Sequence, residues 1–466
     1  MFIKKFIGDR KFYRRVIAIS FPIMVQTGIT NFVNLLDNIM VGRLGTESMS
    51  GVSIVNQFIF IFNLLIFGAI SAAGIFTAQY HGNNDAEGEK YTFRFKFIIN
   101  IIAAIIGIAV FALFDDALIS LFLHSSGTEG NLALTLEYGK SYLRIMLIGL
   151  IPYTLSQVYA STMRETGETV MPMIASVIAV ITNFVLNYIL IFGKLGFAPL
   201  GAEGAAIATV ISRFGELAIL LIWGHTHTKK CPYLIGAYRS IRIPKALFVS
   251  IAIRGLPLML NELFWSLAVT LRNQCYSTRG LEVVAAQNIS STIFNLFSVA
   301  YMAIGSAVAI IVGNELGAGR LDEAKATAKK MLAFSVTCSI LMGGIMVAFS
   351  TLFPSFYNTT EGVRTLATYM IIVSALTMPF CACAHSSYFT IRSGGKILVT
   401  ILFDSVYMWV LVLPLSFGLS YFTNINIHLL FAICQCTEMI KATLGLAVLK
   451  KGSWVRQLVG NDNLKK

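Results

Sequence analysis

The chain has 466 residues, of which 56% are hydrophobic and only 13% charged, and a formal net charge of +13. Apolar runs of about 20 residues recur along its whole length, more than the cores of soluble domains could bury, so the composition excludes a soluble enzyme or binding protein and indicates a polytopic helical membrane protein. The positive charge sits in short stretches between the apolar runs, where positive-inside bias accounts for it, and nucleic acid is not expected as a partner.

The N-terminal stretch MFIKKFIGDRKFYRR is short, basic and amphipathic and leads straight into the first apolar run, so the first helix is expected to serve as its own insertion signal. Helical pattern and length predict twelve segments, roughly at 13–41, 47–80, 88–114, 131–162, 168–192, 201–224, 245–278, 282–315, 322–351, 362–391, 396–419 and 425–449. Several exceed one bilayer thickness, which implies tilt or extension into water. Orientation follows from the basic residues. Lys4, Lys5, Arg10, Lys11, Arg14 and Arg15 precede segment 1, while Lys90, Arg94 and Lys96 follow segment 2. Lys229, Lys230, Arg239, Arg242 and Lys245 precede segment 7, and Arg320, Lys325, Lys329 and Lys330 follow segment 8. The 115–130 loop has no Lys or Arg, and the opposite face offers chiefly Arg43, Lys194, Arg272, Arg279 and Arg364. Both termini are therefore expected in the cytoplasm, with the chain crossing the plasma membrane many times, in bacteria the inner membrane.

The chain also repeats itself. An offset of 235 residues lays Pro22 on Pro257, Met24 on Met259, Leu36 on Leu271, Gly45 on Gly280, Glu47 on Glu282 and Gly82 on Gly317, without a gap over about sixty residues. A looser match pairs Tyr142 with Tyr369, Pro152 with Pro379 and Arg164 with Arg392. A repeat that restarts in the same orientation after six helices is a parallel repeat. The expected fold is an all-α membrane protein with twelve transmembrane helices in two pseudo-symmetric six-helix lobes, residues 1–224 and 245–466, the second ending in a short basic tail. Residues 225–244 form the cytoplasmic linker, where His225 and His227 read as solvated rather than metal-binding. The i, i+2 pairs Cys381/Cys383 and Cys434/Cys436 point to different helix faces and read as structural thiols.

Within segment 1, Asp37 stands in an otherwise membrane-grade apolar run, NFVNLLDNIMVGRLG. An ionisable side chain in a membrane helix costs at least ~2.5–3.5 kcal/mol on insertion scales and so marks an ion or proton site by default. Thr27, Thr30, Asn31, Asn34 and Asp37 fall on one stripe, which a simple capping role for the acid would not require. At ~1.5 Å rise per residue, Asp37, Asn183, Asn187 and Thr209 all lie roughly 9–15 Å below the outer surface. One carboxylate with several neutral oxygens is hard-cation chemistry, for sodium or for a proton held on Asp37; the competing role for the amides is to tie helices together.

The second lobe has Arg272 opposite Asp37 but carries two other acids. Glu262 and Asp404 lie at one depth, roughly 12 Å from the cytoplasmic edge, where they are expected to share a proton, an ion or a substrate cation. Trp265 and Trp409 stand nearby in sequence, available to an organic cation or simply to packing. Arg213 with Glu216, and Lys441 with Glu438, are expected as i, i+3 pairs.

The stretches DNIMVGRLGTESMSGVS, RETGETVMPM, NFVLNYILIFG followed by LGAEGAAIATVIS, and GLPLMLNELFWSL make the chain resemble the multidrug and toxic compound extrusion (MATE) transporters over nearly its whole length. The resemblance implies two six-helix lobes around a central V-shaped cavity, and antiport of organic cations against sodium or protons by alternating access, with no cofactor. It matches Asp37, Asn183, Asn187 and Thr209 to the cation site of the N-terminal lobe, although Asn187 stands where some members carry an acid, which lowers the site's charge. The implied partners are small organic cations, sodium or protons and membrane lipids, with the protein a monomer. A lipid-linked-oligosaccharide flippase of the same superfamily is the alternative within transport; it would need a strongly basic cavity for pyrophosphate. A membrane-embedded enzyme is disfavoured, because the chain has no HExxH or GxSxG and its six histidines form no cluster.

Overall fold

The protein is described by a computed structural model that covers residues 6–123, 132–357 and 359–460; the side chains of residues 34, 35, 38, 39, 46, 121–123 and 281 lie outside the description, as does half of the 115–130 loop. All regular structure among the described residues is helical. The first half comprises α1 (Arg10–Gly42), α2 (Thr46–Gly82), α3 (Ala86–Leu113), the short α4 (Asp115–Leu123), α5 (Leu132–Ile148), α6 (Leu150–Glu165), α7 (Val170–Phe192) and α8 (Gly201–Thr226). Two 3-10 turns, Pro232–Leu234 and Ala237–Arg239, lead to α9 (Lys245–Ser277), α10 (Leu281–Gly317), α11 (Leu321–Ala348), α12 (Leu352–Ser355) and α13 (Glu361–Ser393). Last come α14 (Ile397–Ile401), two π turns over Leu402–Val406 and Met408–Val412, α15 (Leu413–Phe422) and α16 (Ile427–Lys451).

Among the described residues, eleven helices are long and apolar enough to cross a bilayer, and α5 with α6, bent by 46°, makes a twelfth span. The twelve expected spans are thus present. The bend falls at Gly149, where Pro152 in the first turn of α6 offers no N–H and crowds the carbonyl four residues back. Exposed Ile102, Ile105 and Ile106 on α3 show the apolar outer surface that lipid tails require.

The repeat extends further than sequence identity reveals. α1, α2 and α3 have 33, 37 and 28 residues, and α9, α10 and α11 have the same three lengths at the same offset. The later helices diverge: α13 runs unbroken for 33 residues where α5 and α6 bend. The stretch equivalent to α7 widens into π turns ahead of Pro414, which cannot donate to a carbonyl of the preceding turn.

Two compact units result. One holds Val25–Thr77 and Ala86–Ile251; the other holds Met1–Met24, Ala78–Asp85 and Ala252–Lys465, so the chain does not divide at a single point. The first unit is cored by Phe62, Ile66, Leu150, Val158 and Met163 toward one end and by Val55, Phe58, Leu143 and Ile191 toward the other. Its linker is docked rather than loose. Cys231, Tyr233, Leu234 and Ala237 are buried in the core, and the Arg94 guanidinium donates to Ala237 O (2.8 Å), Gly236 O (3.0 Å) and Arg242 O (3.2 Å). Burial pushes the Cys231 thiol above its ordinary range, which suits an inert packing residue. His225 remains exposed, with Nε2 3.3 Å from the Tyr159 hydroxyl.

In the second unit, Val16, Ile19 and Ile23 of α1 pack with Ala303, Ala307 and Ile311 of α10 and with Trp454 of the C-terminal tail. The ends of α2 and α10 cross at backbone contact. A Cβ on Gly82 would lie 1.8 Å from Asn314 O, and one on Gly317 would lie 1.9 Å from Gln79 O. The 235-residue offset carries Gln79 to Asn314 and Gly82 to Gly317, so the contact is reciprocal, as a two-fold pairing of like elements demands. Gln79 also ties down the tail, donating to Ser393 O (2.9 Å) and Arg456 O (3.3 Å) and accepting from Leu458 N (2.6 Å).

Candidate ion and substrate sites

In the first unit, Asp37 projects from the second half of α1 toward α7, and Asn183 and Asn187 share one face of α7 at i, i+4 spacing. Asn187 Nδ2 donates to Asp37 Oδ1 (2.8 Å) and to Asn183 Oδ1 (3.2 Å), and Asn183 Nδ2 donates to Thr209 Oγ1 on α8 (3.2 Å). Thr209 in turn donates to Ala205 O, one turn back in its own helix (2.9 Å). The four residues singled out in the sequence thus form one hydrogen-bonded line across three helices, with both asparagines buried. The rest of the α1 stripe is less involved. Thr30 turns its hydroxyl back to Gln26 O (2.8 Å), and the side chain of Asn34 lies outside the described residues.

Deeper in the same unit are charged groups that the sequence reading treated as structural or as surface. Arg213, one turn beyond Thr209, rests on the Tyr153 ring with its guanidinium carbon 4.9 Å from the centroid. Among the described residues no ion pair within 4 Å joins it to Glu216, contrary to expectation; the guanidinium is directed to the Tyr153 ring on α6, with Glu216 only in electrostatic range. Lys96, counted among the cytoplasmic basic residues, is fully buried, donates to Thr162 Oγ1 (3.1 Å) and forms an ion pair with Glu165. The Glu165 carboxylate occupies the space that a side chain at Gly74 would need.

The acids of the second unit each have a basic partner. Glu262 Oε1 accepts from Tyr388 Oη (2.9 Å) and from Arg392 Nη1 (3.4 Å), while Arg392 Nη1 also donates to Tyr388 Oη (3.1 Å). Asp404 Oδ1 accepts from Lys441 Nζ (2.8 Å), and its Oδ2 accepts from Asn261 Nδ2 (3.0 Å). Lys441 therefore meets Asp404 across helices rather than Glu438 in its own helix. Asp404 lies in the first π turn, and the widened backbone leaves Ser405 N–H to donate to Asn261 Oδ1 (3.3 Å) while Ser405 Oγ donates to Asn261 O (2.6 Å). Adjacent positions 261 and 262 of α9 thus serve the two carboxylates, one directly and one through an amide. Trp409 Nε1 donates to Phe264 O (3.0 Å), which places this tryptophan in the α9 packing, while Trp265 is exposed.

Tyr388 and Asn261 were not singled out from the sequence, Arg392 was noted only in the repeat, and Lys441 was assigned to Glu438 rather than to Asp404. Arg392 and Tyr388, four residues apart in an apolar segment, carried a signal, since a membrane-embedded guanidinium requires a partner. Which acid answers it depends on helix packing, which periodicity does not encode.

Comparison with known proteins adds an independent line. A protein-family model described as MatE matches residues 22–189 and 257–418. The probable multidrug resistance protein YoeA of Bacillus subtilis is 23% identical over 415 residues, covering 87% of this chain and 86% of its own. The probable multidrug resistance protein NorM of Thermotoga maritima is 21% identical over 453 residues, covering 96% and 94%. Among solved structures, that of a MATE transporter in its straight conformation superimposes with a TM-score of 0.85 at 19% identity, covering 97% of this chain and 98% of that one.

Proposed function

This chain belongs to the MatE family and is a multidrug efflux transporter rather than an enzyme; from that premise we propose that it is a secondary antiporter exporting organic cations in exchange for sodium ions or protons. The observation that carries the reading is the line Asp37, Asn187, Asn183 and Thr209, which gathers one carboxylate, two amide oxygens and a hydroxyl from three helices. A half-turn of each amide about its Cγ directs carbonyl oxygens, in place of N–H groups, toward the carboxylate. That oxygen-only set suits sodium, whereas in the present arrangement the Asn187 N–H donates to Asp37 and supports its charged carboxylate.

Glu262 and Asp404 are the proposed contacts for substrate cations or ions in the C-terminal lobe, with Arg392 and Lys441 as the resident cations that an incoming one displaces. The functional lobes are residues 1–224 and 245–466, joined by 225–244. We place the protein in the plasma membrane with both termini cytoplasmic, working as a monomer by alternating access. Proteoliposomes given a fluorescent organic cation and an imposed sodium gradient, pH gradient or no gradient test the coupling. Dye movement accelerated by at least one gradient is expected. Equal rates under all three conditions contradict antiport.

A further inference from the structure

We propose that Arg213 is a tethered counter-charge of the N-terminal ion site, a positioning residue that competes with the coupling ion for Asp37 and drives its release. The proposal rests on the reading of Asp37 as the coupling acid. Among the described residues the Arg213 guanidinium makes no hydrogen bond and no ion pair; its Nη1 is buried without an acceptor, and its carbon lies over the Tyr153 ring at 4.9 Å. A ring face attracts the charge but accepts none of the five N–H groups well, so a membrane-embedded guanidinium left in this state has an incentive to move toward a carboxylate.

In this structure the carboxylate within Arg213's electrostatic range is Glu216, and two features link Arg213 to Asp37 indirectly. Thr209, which ends the hydrogen-bonded line from Asp37, lies one turn from Arg213 on the same face of α8. The Tyr142 ring on α5 is in electrostatic range of both Asp37 and Arg213. The seat is also tightly built: a Cβ on Gly149, at the bend between α5 and α6, would come within 3.3 Å of Arg213 Cδ and Nη1. The other charged groups nearby are Glu216 on α8 and Arg164 on α6, whose Nη1 donates to Gln26 Oε1 at 3.4 Å. Glu216 offers a carboxylate at i+3, yet Arg213 is not bonded to it, so the guanidinium is not held away from Asp37 by an ion pair.

Two consequences have opposite signs. With the ion bound, the guanidinium waits on Tyr153; with the ion gone, it neutralises Asp37. Removing it strengthens ion binding, while loosening it from the ring weakens ion binding. A unit charge brought toward Asp37 through an effective dielectric near 20 changes ion affinity by about tenfold.

The test measures the coupling-ion concentration that half-activates efflux of a fluorescent organic cation from proteoliposomes, with maximal rate and melting temperature recorded alongside. Arg213→Gln is expected to lower the half-activating concentration about fivefold to tenfold and to slow maximal turnover, because the ion leaves less readily. Arg213→Lys, which keeps the charge, should stay within about twofold of wild type. Tyr153→Leu should raise the half-activating concentration, and it carries the test if Arg213→Gln does not fold. If Asp37→Asn abolishes coupling while the Arg213 and Tyr153 variants keep the wild-type ion dependence, Arg213 is structural and this inference is overturned. If Asp37→Asn keeps normal ion dependence, the Asp37 reading itself has failed.

Discussion

Glu262 and Arg392 show what a single residue inside the membrane owes to its neighbour. Arg392 is 2% exposed and its guanidinium lies 3.4 Å from Glu262, so removing that carboxylate isolates a buried positive charge from its counter-charge. Breaking a buried pair from one side typically costs about 3–5 kcal/mol, whereas replacing both partners is far milder. Glu262→Gln is therefore expected to destabilise strongly, and adding Arg392→Gln should recover more than half of the loss in thermal unfolding of the purified protein. Simple addition of the two losses would show that the pair is not coupled. The sequence made the acids visible because a carboxylate stands out in an apolar run. It did not match the bases to these acids because their partners are 130 and 37 residues away and are chosen by packing. Asp37, Asn183, Asn187 and Thr209 were easier to read, since helical spacing and depth already converged on one level.

At the scale of helices, the crossing of α2 and α10 decides how closely the repeated elements approach. A methyl group at Gly317 would sit 1.9 Å from a backbone oxygen, which no side-chain rearrangement relieves, whereas Gly344 in α11 has open space around it. Gly317→Ala is expected to lose about 1–3 kcal/mol or more by forcing the helices apart. Gly344→Ala should be neutral or slightly stabilising, because alanine is the better helix former. Equal melting temperatures for the two variants would contradict the close crossing. The same scale shows where pattern reading runs out. The offset of 235 predicts the lengths of three helices, because those helices are regular. The bend lies at Gly149 beside Pro152, whereas Pro379, its counterpart in the repeat, sits inside the unbroken α13, so the proline alone does not dictate it; the π turns around Asp404 precede Pro414, which costs a backbone hydrogen bond. Hydropathy registers only a continuous apolar segment there.

For the whole molecule, the net charge of +13 is an orientation signal, and part of that signal is internal. Lys96 and Arg94 are buried structural cations, while Lys229 in the linker is exposed. With the other native cysteines removed, Lys229→Cys should react with a membrane-impermeant maleimide only after the cytoplasmic face is opened. Cys231, two residues on but fully buried, should stay unreactive until the protein unfolds. Labelling of position 229 in intact cells would invert the proposed topology. The central claim, that Asp37 couples an ion to efflux, is tested most directly by Asp37→Asn in proteoliposomes with an imposed sodium or proton gradient. The amide keeps the shape and the hydrogen-bond reach but removes the charge that receives the cation. The expected result is a folded protein of near wild-type melting temperature whose gradient-driven dye efflux is lost; a folded Asp37→Asn protein that exports dye at the wild-type rate under the same gradient would contradict it.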